Sequence, residues 1–213
     1  MTTASDREKK ESCQLGAGCR VLRPCLVGFV WRPGALPLRV GQRALIRTFS
    51  VIYADVTIGD DFQSGHGSLV RQFCQLGDRV VVGSNAIIEN NVTIGDDVKI
   101  ESGVCIASHS VVGNRVFIGP GVAFTNDRYP QRLRREYQPA GPRIADDVSI
   151  GANATILPGI HVGRGSIIAA GCLVTSNVPE WSLVKGIPGR SESLPARLKH
   201  RNEAATHRRL QGE

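Results

Sequence analysis

Aromatic side chains are scarce: Trp, Tyr and Phe together make up 5% of the 213 residues, and there is one Met. Without large rings a thick packed core is hard to fill, so Val, Ile, Ala and the 24 Gly point to many short, thin layers. No apolar run approaches the length of a bilayer span, and no membrane insertion is expected. The opening MTTASDREKKES is polar, mixed in charge and without an apolar stretch, so no secretory leader and a cytoplasmic location are expected. The net charge of +7 is gathered in two places, the last two dozen residues and a segment holding Arg128, Arg132, Arg134, Arg135 and Arg143. Such charge favours phosphate-bearing ligands. No nucleic-acid motif and no basic patch interleaved with aromatics accompanies it, which argues against a nucleic-acid partner.

What the chain does have is a period of six. From Val40, every sixth residue to Phe124 is apolar except Ser64, and the beat returns at Ile144, Ile150, Ile156, Val162, Ile168 and Val174. Four residues after each beat stands a small or β-branched residue, as at Ala44, Val56, Val80 and Ala154, with Phe62 the exception. An α-helix repeats near 3.6 and does not fit. Short strands joined by tight corners do, with the large beat residue inside and the small one where the corner leaves little room. Gly, Asn and Asp fill the other positions and permit corners of positive φ. Three hexads make one coil of about 18 residues, and coils stack at ~4.8 Å.

The cysteines follow the same frame. Cys13, Cys19 and Cys25 are six apart, and Cys19, Cys25, Cys74 and Cys172 take the small inward position. Successive hexads face different sides, whereas zinc ligands come as closer pairs, so no metal is expected. No two cysteines are a whole number of coils apart, so all six are expected reduced.

The pattern over roughly residues 15 to 190 resembles the left-handed β-helix hexapeptide-repeat acyltransferases. That resemblance, not the period, implies left-handedness, a homotrimer, and acetyl-CoA as co-substrate in the cleft between subunits. The expected fold is therefore all-β: a left-handed parallel β-helix over 13–190, an inserted loop at 125–143, a polar N-terminal tail at 1–12 and a basic C-terminal tail at 191–213. FTNDRYP (124–130) is similar to the start of the active-site loop in bacterial N-acetyltransferases of nucleotide-linked amino sugars. GANATILPG and AAGCLVTSNVPEWSLVKGIPGR resemble their CoA-binding end, which implies the pantetheine arm at Gly151 and Ala169 and CoA phosphates at Lys185 and Arg190.

Counting one coil back from Asn126 reaches Ser108, and from Asp127 reaches His109, so Asp127 is expected to stack beside His109 and orient it for acid/base work. His66 is the other candidate, because SGHG lies where the inward beat fails at Ser64 and because it matches a catalytic His position in the family resembled. It precedes Asn126 by a little over three coils, about 16 Å along the axis. His161 is expected at a corner, and His200 and His207 in the solvated tail. Asn126 is expected to orient the attacking group, with the proton going to His109, to His66 or to the departing thiolate.

The expected activity is acetyl transfer from acetyl-CoA to an amino group of a nucleotide-linked sugar. Transfer to a hydroxyl of a sugar or other small metabolite is the alternative. A carbonic-anhydrase-like use of the fold needs three converging His, and the spacings of His66, His109 and His161 are not whole numbers of coils. A non-catalytic trimeric scaffold leaves the Arg-rich interruption without a purpose.

Overall fold

The computed structural model describes residues 11–130, 132 and 135–203. Arg134, His207 and nearly all of the N-terminal polar segment fall outside the described residues. Among those described, short strands cycle in turn through three sheets of eight, ten and eight strands. The first face begins at Cys13–Leu15, the second at Arg20–Val21 and the third at Leu26–Phe29. Apart from the terminal antiparallel pair, neighbouring strands within a face are parallel, as in Gln75↔Thr93 and Thr93↔Val111. Their usual step is the one-coil spacing anticipated from the hexads. The result is a three-sided parallel β-helix. No helix among the described residues is long and apolar enough to cross a membrane.

Both inward positions are filled as the period requires. Beat residues such as Ile46, Ile88, Ile100 and Ile150 are fully buried, and so are the small-position residues Val80, Val92 and Ala154. Each buried aliphatic side chain stabilises by roughly 1.5–3 kcal/mol. The two exceptions compensate each other. Phe62 and Ser64 are both fully buried and only two residues apart, so excess volume at one adjoins a deficit at the other. Ser64 is also hydrogen-bonded: its Oγ accepts from the Arg47 N–H at 2.8 Å and lies 3.1 Å from Ser50 Oγ.

The three corners give the prism three unlike edges. Where the first face turns into the second, the motif IGDD and its variants stack into an acidic edge. Asp78 Oδ1 accepts from the Asp60 N–H, Asp96 Oδ1 from Asp78, and Asn114 Oδ1 from Asp96. The adjoining column alternates in sign: Arg43 binds Asp61, Arg79 binds Asp97 and Arg115 binds Asp147. The glycine of the motif is required by this ladder, since a Cβ on Gly77 would collide with Asp96 Oδ1. The second edge, from second face to third, is rich in Gly and carries His66, Gly121 and Gly151. The third edge, from third face back to first, carries Asp55, Phe73, Asn91 and His109, each in left-handed backbone.

Both interruptions of the coil leave from that third edge. At the larger one Val111 pairs with Arg143, so the register jumps by most of an additional coil. The excursion is shorter than the 125–143 expected from the sequence. Asn126 O accepts from the Ala140 N–H at 3.0 Å, which closes its base, and Gly141 and Pro142 are already buried in the coil. The other interruption was not foreseen. Leu15 pairs with Val40 and Val21 with Ile46, a longer step than one coil, and the surplus chain lies between Phe29 and Leu38.

The expected terminal boundaries also need correction. Glu11 pairs with Arg23, and the Ser12 N–H bonds Gly28 O at 2.8 Å, so the fold begins before residue 13. Beyond Lys185 the chain turns into an antiparallel strand, Arg190–Ser193, and Leu194 is 2% exposed. Asn202 reaches back to Val148 O and Ser149 Oγ. Residues 191–203 are therefore folded onto the β-helix, because Leu194 and Asn202 find partners there.

Two outcomes follow from the acidic edge. Gly77→Ala forces a Cβ into the Asp96 ladder and should cost roughly 1–3 kcal/mol, read by urea unfolding. The Arg79 guanidinium holds the Asp97 carboxyl below the ordinary carboxylate range, and Arg115, with Arg164 and the Asn202 N–H assisting, does the same for the wholly buried Asp147. Stability from both is fully present above the unfolded carboxylate pKa near 4 and is lost as pH falls through the lowered folded values. Asp147→Asn should therefore destabilise at pH 7 by roughly 1.5–3 kcal/mol and flatten the acid limb of a pH–stability curve.

Candidate functional site

The candidate residues divide between the two edges that border the third face. Asn126, Asp127 and His109 lie on the edge with the excursions, and His66, Gly151 and Ala169 lie on the glycine-rich edge. One chain alone does not bring the two groups together.

Asn126 stands at the root of the larger excursion. Its Nδ2 donates to Ser108 Oγ at 2.7 Å, the one-coil neighbour that the spacing anticipates. The preceding Thr125 is anchored through both its N–H and its hydroxyl to Ile156 O. Asn126 is thus held on both sides, and its Oδ1 has no hydrogen-bond partner among the described residues.

Asp127 does not stack beside His109 as expected, and no hydrogen bond or ion pair joins them among the described residues. The chain has already turned outward, and Asp127 Oδ1 caps the Tyr129 N–H at 2.9 Å. Gly141 takes the vacated place in the coil; a Cβ on it would collide with the His109 backbone. His109 remains exposed directly below the excursion, in left-handed backbone at φ 64°. Arg128, Arg132, Arg135 and Arg143 are exposed and take part in no ion pair among the described residues.

His66 is oriented differently. Its Nδ1 lies 2.7 Å from Thr48 Oγ1, one coil below, and its N–H bonds Ser84 Oγ, one coil above. Nε2 is the nitrogen left for other partners. The axial separation from Asn126 stands, but the two also sit on different edges, because the spacing exceeds three coils by one face. His161 is not at a corner either: it points outward from the first-face strand His161–Val162. The three histidines thus occupy three different sides of the prism.

Gly151 and Ala169 are consecutive along the glycine-rich edge. The Gly151 N–H bonds Ile168 O at 2.8 Å, and a Cβ on Gly151 would run into the Ala170 backbone. Close coil stacking explains this glycine without a ligand, and the bare backbone also leaves the edge open. Lys185 and Arg190 face one another across the terminal hairpin, and Lys185 Nζ is paired with Glu192 at 2.7 Å. Both are exposed, so that pair is weak and exchangeable.

Four of the cysteines are poor nucleophiles. Burial pushes the Cys74 thiol up to about 12 and raises those of Cys25, Cys105 and Cys172. Cys13, by contrast with the inward position of Cys19 and Cys25, is exposed on the first coil. All six are free, and no group of three His, Cys, Asp or Glu is arranged to hold a metal ion among the described residues. Sequence reasoning missed the smaller excursion with Trp31 and Arg32. Its signal was present as a spacing of 13 between Val27 and Val40, where two hexads require 12. Alkylation of the native protein should spare Cys74, and mass spectrometry at about pH 8 after iodoacetamide checks this.

The family model for bacterial transferase hexapeptide (six repeats) matches residues 91–126 and 141–176, either side of the larger excursion. The chain is 44% identical over 71 residues to a protein of Bacillus subtilis named putative acetyltransferase YvoF, covering 32% of this chain and 41% of that one. It is 55% identical over 47 residues to a 2,3,4,5-tetrahydropyridine-2,6-dicarboxylate N-acetyltransferase of Staphylococcus aureus, covering 22% of this chain and 20% of that one. The match thus spans less than half the length of either relative. The solved UDP-N-acetylglucosamine acyltransferase of Campylobacter jejuni superposes with a TM-score of 0.55 at 21% identity, over 87% of this chain and 71% of that one. That likeness concerns the fold, a left-handed parallel β-helix of hexapeptide repeats. The repeat match covers about a third of this chain, and both curated relatives it resembles are named acetyltransferases.

Proposed function

We propose that the protein transfers an acetyl group from acetyl-CoA to an amino group of a small acceptor, a nucleotide-linked sugar being the preferred class. The observation that carries this reading is Asn126, locked at the root of an Arg-rich excursion by Ser108, the chain neighbour of exposed His109, with no partner on its Oδ1 among the described residues. The acetyltransferase names of the relatives support the donor. The preference for an amine acceptor rests on the resemblance of FTNDRYP and on the Staphylococcus relative.

The proposed assembly is a homotrimer. Outward residues of the third face form a mostly apolar row of Leu26, Val51, Leu69, Ile87, Cys105, Ala123, Thr155 and Leu173, all partly buried in one chain. The first face instead carries Arg39, Thr57, Gln75, Thr93, Val111, Arg143 and His161, of which one is apolar. An apolar row of this length favours contact with another copy. It also separates the two candidate edges, so packing on it sets the glycine-rich edge of one copy beside the excursion edge of the next.

In this arrangement CoA lies along the glycine-rich edge, its phosphates near Lys185 and Arg190 and its pantetheine arm descending past Ala169 and Gly151. If threefold packing keeps coils level, the thioester arrives near the height of Asn126 and His109, whereas His66 lies two coils below His109. Asn126 Oδ1 accepts from the amine and aims its lone pair at the thioester carbonyl. The C–N bond forms, backbone N–H groups of the rigid coil stabilise the oxyanion, and the C–S bond breaks. His109 takes the amine proton and passes it to the departing thiolate.

Free CoA release from acetyl-CoA, assayed against amino-sugar nucleotides and hydroxyl acceptors, tests the reaction. Turnover with hydroxyl acceptors alone overturns the amine assignment. Asn126→Ala should lower kcat roughly 10²-fold with acetyl-CoA affinity retained. His109→Asn should cost roughly 10²-fold or more and His66→Asn much less; the reverse order moves the proton to His66, and two small effects leave it with the thiolate. Leu69→Glu should shift the mass measured by light scattering from trimer to monomer.

A further inference from the structure

The smaller excursion builds a cleft that acyl transfer at Asn126 does not itself use. It opens where the loop overhangs the first face, has a volume of about 320 Å³, and is walled by Arg32, Leu36 and Pro37 on one side and Phe73 on the other. Its floor is the in-register row Arg39, Thr57 and Gln75. That volume lies at the lower end of the range for small-molecule sites.

The cleft is preorganised. The Asp55 carboxylate, 5% exposed, accepts from Trp31 Nε1 at 3.1 Å and from the Leu36 N–H at 2.8 Å, and lies 3.5 Å from the Arg32 guanidinium. All three partners belong to the excursion, so one carboxylate pins the loop to the edge. Arg32 is further fixed by stacking, 4.9 Å from the Trp31 ring and 5.3 Å from the Phe73 ring. Phe73 itself is exposed in left-handed backbone, at φ 63°, a conformation that costs a bulky residue energy. Against these satisfied groups, Arg39 stands apart: it is exposed and has no side-chain hydrogen bond or ion pair among the described residues.

We propose that this cleft binds the anionic end of the acceptor, a phosphate ester carried on a flat ring. The charges and shape match it. Asp55 is neutralised by Arg32 and faces the loop, which leaves the Arg39 guanidinium as the uncompensated cation on the floor. Thr57 and Gln75 flank it with neutral hydrogen-bonding groups, and the Phe73 ring supplies a surface for a flat moiety. The position matches too. Phe73 and His109 occupy the same edge two coils apart, about 10 Å, with only the Asn91 corner between them. Arg39 lies two coils below Gln75, so a ligand with its phosphate there spans about four coils, ~19 Å, to bring its other end to His109 and Asn126. That is the length of an extended nucleotide-linked acceptor, and in this respect the assignment rests on the acyl-acceptor reading.

Calorimetric titration of the full chain with UMP, uridine and inorganic phosphate tests the site, with acetyl-CoA titrated separately onto the same proteins. UMP should bind, inorganic phosphate should bind more weakly at the same place, and uridine should bind least. Arg39→Ala, a change at an exposed and unpaired side chain, should weaken UMP roughly ten- to a hundredfold and leave acetyl-CoA affinity unchanged. Phe73→Leu should weaken UMP but not inorganic phosphate. Unaltered UMP affinity in Arg39→Ala, displacement of UMP by acetyl-CoA, or no UMP binding at millimolar concentration overturns the cleft assignment. A chain that binds acetyl-CoA but not UMP refutes the cleft alone, while one that binds UMP through Arg39 but never acetyl-CoA refutes the acyl-transfer reading and leaves the cleft standing.

Discussion

The vertical hydrogen bond between coils is the constraint on which everything else rests. Each corner and strand must donate to the carbonyl one coil away, as Gln75 does to Val92 and Thr93 to Ser110. This holds the step at 18 residues through most of the continuous coil, shortening to 16 in the last one, where Ile168 pairs with Val184, and any extra chain must leave and re-enter at the same corner. The larger excursion obeys that rule through the Ala140-to-Asn126 bond at its base. Asn126 is rigid because it is the last residue before the ladder is interrupted, and its backbone closes the gap.

The same stacking makes the three edges chemically different. On the acidic edge, side-chain carboxylates bond to the backbone below and to arginines beside them, so its charge is consumed internally. On the glycine-rich edge, close coil contact removes side chains and leaves backbone open along a line from Ala169 and Gly151 toward His66. On the third edge, bulky and polar residues stand in left-handed corners between two excursions. The coil thus has one edge consumed by its own bonds and two left open.

The core was legible in the sequence because burial there depends only on position within the hexad. Ile100 and Val104 could be placed inside, and Ser108 beneath Asn126, by counting. Counting failed where the ladder is broken. Asp127 was placed above His109 by arithmetic that assumed the coil continued one more residue, but the outward turn after Asn126 gave that place to Gly141. The first excursion escaped notice because Cys19 and Cys25 keep the hexad beat before it, and a phase shift of a single position hides a whole loop.

The sequence by itself therefore determined the period, the inward residues, the reduced state expected of its cysteines and the root of the larger excursion, since each follows from local spacing. Only the tertiary structure decided that both excursions share an edge, that His66 lies on a different one, that Asp55 pins Trp31 and Arg32, and that residues after Arg190 fold back onto the helix. Those facts depend on which corner of the prism a residue reaches and on what crosses over it from another coil. Neighbours in different coils are joined by packing and hydrogen bonds whose register an insertion resets.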